Sequence, residues 1–144
     1  MSEFRGSSVI VHRLVEWSET DAAGHNHFAA AFRWLEEAEH ALLRSVGVPV
    51  DEIARIPRVH IDIDYKDRLY FGQEIAVRVT VVKVGTSSCT YEFEVCTGAG
   101  LVAVSGNLVV VHASSTSEGS APWPQDIRDA LLDGRVVEIH TIVS

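Results

Sequence analysis

The chain has 144 residues, 47% hydrophobic and 22% charged, which fits one domain around one packed core and excludes wholesale disorder. Acidic side chains outnumber basic ones, 20 to 12, for a formal net charge of −8, so attraction to nucleic acid or an anionic membrane is disfavoured. No apolar run approaches bilayer length and the N-terminus does not read as a secretory signal, so a cytoplasmic protein is expected.

Residues 9–17, VIVHRLVEW, alternate loosely and predict a strand. Val9, Val11, Arg13, Val15 and Trp17 share one face, and Ile10, His12, Leu14 and Glu16 share the other. Ser, Thr, Asp, Gly and Asn concentrate in SETDAAGHNH, which marks a loop. Residues 29–47 then predict a long helix, with Ala31, Leu35, Ala38, Leu42 and Val46 on its apolar face. Arg33, Glu37, His40 and Arg44 fall on a polar face, and Gly47 and Pro49 end the helix. Its alanines suit either close approach to a sheet or simple helix propensity.

A short helix near residues 50–55 precedes a run of strand patterns. VHIDIDYKD puts Val59, Ile61, Ile63 and Tyr65 on one face, as a half-buried strand does. EIAVRVTVVKV and CTYEFEVCT form a hairpin across Gly85–Ser88, and LVAVSGNLVVVHA follows after Gly98–Gly100. Cys89 and Cys96 lie seven apart on one strand and face opposite ways, so a disulfide between them is geometrically poor; buried structural thiols suit a reducing compartment. Beyond a core of about residues 9–113, an extension over 114–144 holds a Ser-rich stretch, a short helix PQDIRDALLD and a final strand RVVEIHTIV. The order is one long helix among mostly antiparallel strands, an α+β layer solution. A lone helix on a small sheet leaves edges uncovered, and a second copy is the economical cover.

EWSETDAAGHNHFAAAFRWLEEAEHALLRSVGV, followed by YKDRLYFGQEIAVRVTVVKVGTSSCTYEFEV, resembles hotdog acyl-CoA thioesterases of the 4-hydroxybenzoyl-CoA thioesterase type over residues 9–132. In that family a strand runs through an Asp-x-x-Gly loop, here Asp21 and Gly24, directly into the central helix. The resemblance implies a hotdog fold, an antiparallel sheet wrapped around one long helix. It also implies a homodimer or homotetramer with active sites at subunit interfaces.

Thioester hydrolysis needs a stabilised oxyanion and a nucleophile at the carbonyl carbon. A helix N-terminus offers unpaired N–H groups and a favourable dipole; the resemblance assigns one such donor to the backbone N–H of Phe28. With the family pattern Asp21 is the candidate catalytic carboxylate, which can attack the thioester or activate water; loop chemistry alone would favour a turn former. Gly24, His25 and Asn26 complete the loop. His25 matches the His of a related Gly-His-Val-Asn-Asn loop, whereas His27 and Phe28 stand where that subgroup has Asn; His27 is a candidate to orient water or polarise the carbonyl.

Glu36, Glu37 and Glu39 invite comparison with a branch that carries its carboxylate on the helix, but a solvated face, with Glu37 paired to Arg33, is expected. Arg58, Lys66, Arg68 and Lys83 are candidates for coenzyme A phosphates, since the Gly85–Ser88 turn lacks the basic run some relatives place there. His25 and His27 lack a carboxylate or Cys partner at metal-ligand spacing, so neither metal nor cofactor is expected. No Gly-x-Ser-x-Gly elbow, Walker loop or dinucleotide fingerprint occurs. The expected activity is hydrolysis of an acyl-CoA, with an aromatic acyl group among the candidates, or of a carrier-protein thioester; a net negative chain favours the former over an acidic carrier. Alternatives are a hotdog dehydratase and a non-catalytic acyl-CoA-binding module.

Overall fold

The structure is a computed structural model that describes residues 5–113 and 119–142. Six strands form one sheet: β1 (Ser8–Leu14), β2 (Arg58–Tyr65), β3 (Glu74–Val84), β4 (Ser88–Thr97), β5 (Val102–Val111) and β6 (Val136–His140), in the spatial order β2-β5-β4-β3-β1-β6. Every pairing is antiparallel except β1 with β6. Helix α1 (Ala30–Ser45) packs across β1 and β3, α2 (Val50–Ile53) is a single turn, and α3 (Gln125–Leu132) packs on β3.

The apolar stripe of α1 is the one its periodicity predicts. Ala31, Leu35, Ala38, Leu42 and Val46 are all buried, and Ala31 and Ala38 are fully so, which brings the helix axis close to the sheet. β3 and β4 supply Val77, Val79, Val81, Tyr91, Phe93 and Val95 to the same core, and the C-terminal segment adds Trp123, Ile127 and Leu131. Gly106 is needed where it stands, because a Cβ there would lie 2.0 Å from the Asp62 carbonyl oxygen and 2.8 Å from a Phe93 ring carbon.

Four expectations need correction. The first strand stops at Leu14, and Trp17–Glu19 form a 3-10 turn, so Trp17 leaves the sheet and stands 76% exposed. The β2 face expected to be half-buried is so only in its middle: Ile61 and Ile63 pack partly buried against the core, whereas Val59 and Tyr65 are 58% and 46% exposed on this outer strand. Glu39 belongs to the interior rather than a solvated face: it is 1% exposed and bonded to Arg58. Glu37 pairs with Arg13 at 2.9 Å instead of Arg33, because β1 brings a buried guanidinium to that side of the helix. The Ser-rich stretch from Ser114 to residue 118 lies outside the described residues. Cys89 and Cys96 are free, and burial pushes the Cys89 thiol up to about 12. Among the described residues, no helix is long and apolar enough to cross a membrane.

Candidate active site

The loop between β1 and α1 is held from below by a buried ion pair. Arg13, facing inward beside Val11, donates two hydrogen bonds to Glu19, at 2.8 and 2.7 Å. The Trp34 indole N–H on α1 donates to the same carboxylate at 2.8 Å, and so does the backbone N–H of Glu16. Every oxygen of this buried anion is therefore paired, as burial of a charge requires. The Glu19 carbonyl in turn accepts the His27 N–H at 2.8 Å, which ties the loop's return strand to the strut.

Above the strut the loop closes tightly. Thr20 bridges Asn26, the Asp21 N–H donates to the His25 carbonyl at 2.9 Å, and Gly24 turns the chain with a φ of +87°. Asn26 is buried and pins the loop to the segment before β3: its side-chain oxygen accepts the Leu69 N–H at 3.0 Å and its own N–H reaches the Leu69 carbonyl at 2.7 Å. His25 bridges Tyr70, and their rings meet edge to face at 6.4 Å.

Asp21 emerges from this frame with one oxygen engaged and one free. Its Oδ1 accepts the Ala23 N–H at 2.8 Å. Its Oδ2 accepts no hydrogen bond among the described residues, and His25 Nδ1 lies 4.0 Å away. Close by in sequence, α1 begins. The Ala29 N–H is capped by His27 Nδ1 at 3.1 Å and the Ala30 N–H by the His27 carbonyl at 2.9 Å, whereas the Phe28 N–H has no protein acceptor among the described residues. The Phe28 carbonyl accepts the Tyr65 hydroxyl, which fastens the helix entrance to β2. Burial pushes the Tyr65 phenol up, so it stays a donor.

A recess of about 260 Å³ opens between these groups, lined by Asp21, His25, Asn26, Phe28, Tyr65, Asp67 and Arg68. Of the expected site residues it gathers Asp21, His25, Asn26, Phe28 and Arg68. His27 lines a separate hollow with Ser18, Glu19 and Arg33, and its ring acts as an N-terminal cap. Arg58 is committed to Glu39 and reaches Glu36 at 3.6 Å. Lys66 and Lys83 do not line the recess; Lys83 sits near the far end of β3, beside the β4 hairpin. Of the aromatic side chains near the helix entrance, Phe28 and Phe32 are exposed, whereas Trp34 is core.

Tyr65, Glu19 and Arg13 are the positioning groups that the sequence did not single out. A signal existed for Glu19, since Glu16-x-x-Glu19 forms a reciprocal capping box around the 3-10 turn. Tyr65 gave none, because its partner is a main-chain carbonyl 37 residues earlier.

The thioesterase-like superfamily model matches residues 15–131, from the end of β1 through α3. A 1,4-dihydroxy-2-naphthoyl-CoA hydrolase of Rippkaea orientalis is 33% identical over 102 residues, which cover 67% of this chain and 71% of that protein. A hydrolase of the same name from Prochlorococcus marinus is 33% identical over 57% of this chain and 61% of its own length. A predicted thioesterase from Bacillus stearothermophilus superposes with a TM-score of 0.80 at 25% identity, over 89% of this chain and 96% of that one. The chain belongs to the thioesterase-like superfamily: it is a thioester hydrolase built on the hotdog fold.

Proposed function

We propose that this thioesterase cleaves an aromatic acyl-CoA to the free acid and CoA, with Asp21 as the catalytic carboxylate and the Phe28 N–H as an oxyanion donor. The observation that carries this reading is that Asp21 and Phe28 line one recess, the first with a carboxylate oxygen and the second with an N–H that hydrogen-bonds to none of the described residues. The thioester carbonyl oxygen sits against the Phe28 N–H, where the dipole of α1 favours negative charge. The free Oδ2 of Asp21 then either bonds to the carbonyl carbon or takes a proton from the water that does so. In both routes the tetrahedral centre collapses with rupture of the C–S bond, and CoA leaves as the thiolate. In the first route an acyl–Asp21 anhydride forms and is hydrolysed in a second step.

The aromatic acyl group is supported by the Rippkaea relative, named for a dihydroxynaphthoyl thioester, and by the rings of Phe28 and Tyr65 lining the recess. Arg68 lines the recess and is our candidate for a CoA phosphate. The open face and free edge of β2, with Val59 and Tyr65 uncovered, support assembly with a second copy beside the site. The test is turnover of a panel of aromatic and aliphatic acyl-CoAs, followed by thiol release. Preference for aromatic thioesters supports the reading, and absence of turnover across the panel removes it.

A further inference from the structure

We propose that His12, Glu138 and His140 form a binding site for a divalent transition metal on the outer face of the sheet, where β6 lies against β1. Strand register, not sequence spacing, assembles the three. β6 runs parallel to β1 with His140 opposite His12 and Glu138 opposite Ile10. Residues 138 and 140 lie two apart on one strand and so project to the same face. That face points away from the core, because Val9, Val11, Val137 and Ile139 turn the other way and pack inward.

The side chains are already gathered. The His12 and His140 rings lie face to face, with centroids 4.4 Å apart and planes within 6°. Glu138 Oε1 is 2.9 Å from His12 Nε2. One ligand atom from each residue falls within 4.8 Å of the other two. Tetrahedral zinc with bonds of about 2.0–2.1 Å holds its ligand atoms about 3.4 Å apart, so side-chain rotation alone closes the set. The backbone need not move, because the ladder fixes it.

Two imidazoles and one carboxylate select borderline metals such as zinc, nickel or copper over magnesium and calcium, which take oxygen ligands. Three protein ligands leave a fourth position for water. Arg78 on β3 and Glu138 on β6 both stand opposite Ile10, so a bound cation meets a guanidinium on the same face of the sheet. None of the three ligands lines the Asp21 recess, so the ion is not a participant in thioester cleavage. Its effect is mechanical: it adds a link between the outer strand β6 and β1 to the short parallel ladder and the side-chain contacts that already join them.

The experiment uses the full chain without a polyhistidine tag, stripped with chelator. Zinc is titrated calorimetrically, and cobalt(II) serves as the spectroscopic probe. The site predicts saturable binding of one ion per chain in the micromolar range and a nitrogen-ligated cobalt absorption band. His140→Ala and Glu138→Gln, both on the outer strand, and His12→Ala should each weaken binding at least about tenfold, since even outer-shell changes cost that much at metal sites. His60→Ala, on β2, should leave it unchanged. Should His12→Ala fail to fold, the two β6 variants decide. No saturable binding up to millimolar zinc, or binding that survives His140→Ala and Glu138→Gln, overturns the proposal.

Discussion

Arg13 and Glu19 meet in a two-bond ion pair whose side chains are both more than nine-tenths buried. One end of this pair rests on β1, the other carries the main-chain carbonyl that receives His27, and Trp34 of α1 closes it from the side. The pair thus sets the distance between the first strand, the Asp21 loop and the helix entrance.

Removing Glu19 leaves the buried Arg13 with the half-exposed Glu37 as its remaining close partner, a loss of up to about 3–5 kcal/mol. Glu19→Gln should lower the denaturation midpoint accordingly and reduce kcat in whatever fraction folds. Paired replacement of Arg13 and Glu19 by apolar residues of similar volume should recover stability better than it recovers kcat. Chemical denaturation alongside steady-state kinetics separates the two effects.

Glu39 predicts a pH dependence of stability. Burial is the largest influence and pushes its carboxyl from 4.5 to about 7, against the attraction of Arg58. The folded state therefore holds a proton that the unfolded chain has released. Glu39's contribution is full below the unfolded value near 4.5 and is lost as pH rises through about 7. Glu39→Gln should flatten the thermal midpoint between pH 5 and 8 and raise it at the upper end. Midpoints measured across that range check this, and an unchanged slope in the variant would assign the dependence to other groups.

Much of this fold is legible in the chain, for identifiable reasons. The helix face of Leu35, Ala38 and Leu42 and the β3–β4 hairpin follow from local periodicity, which packing here does not override. Glu39 shows where that reasoning stops. It lies four residues after Leu35, on the buried side, but its charge argues for solvent, and its partner Arg58 stands 19 residues away. The openness of β2 is equally invisible, since alternation shows that one face is apolar and not whether anything covers it. At the site, the Asp21 loop and the helix entrance were readable. The free Phe28 N–H, the Tyr65 bond and the separation of His27 from Asp21 depend on contacts between distant elements. The parallel pairing of β6 with β1 is of the same kind, because its register joins residues more than 120 apart.

Gly106→Ala should disrupt the β2–β5 pairing. The added Cβ overlaps a main-chain oxygen of β2, which cannot rotate away as a side chain could. A loss of about 1–3 kcal/mol or more is expected. Increased hydrogen exchange at residues 60–64 and 104–108 would mark its location.

Tyr65→Phe removes the hydroxyl that holds the Phe28 carbonyl while keeping the ring in the recess. On the proposal that the Phe28 N–H is the oxyanion donor, kcat should fall by about tenfold with KM little changed, a loss of about 1.4 kcal/mol in the transition state. A rise in KM at unchanged kcat would instead make Tyr65 a substrate-binding group.

Asp21→Asn tests the central claim most directly. It keeps the size of the side chain and an oxygen for the Ala23 N–H, and it removes the charge at the free Oδ2. Thiol release from saturating aromatic acyl-CoA should fall by about a hundredfold or more, in line with loss of a general base, while the folded state and substrate affinity are retained. Glu37→Gln, which touches only the rim of the Arg13 pair, should retain most activity. Near-normal turnover in folded Asp21→Asn would contradict the assignment of Asp21 as the catalytic carboxylate.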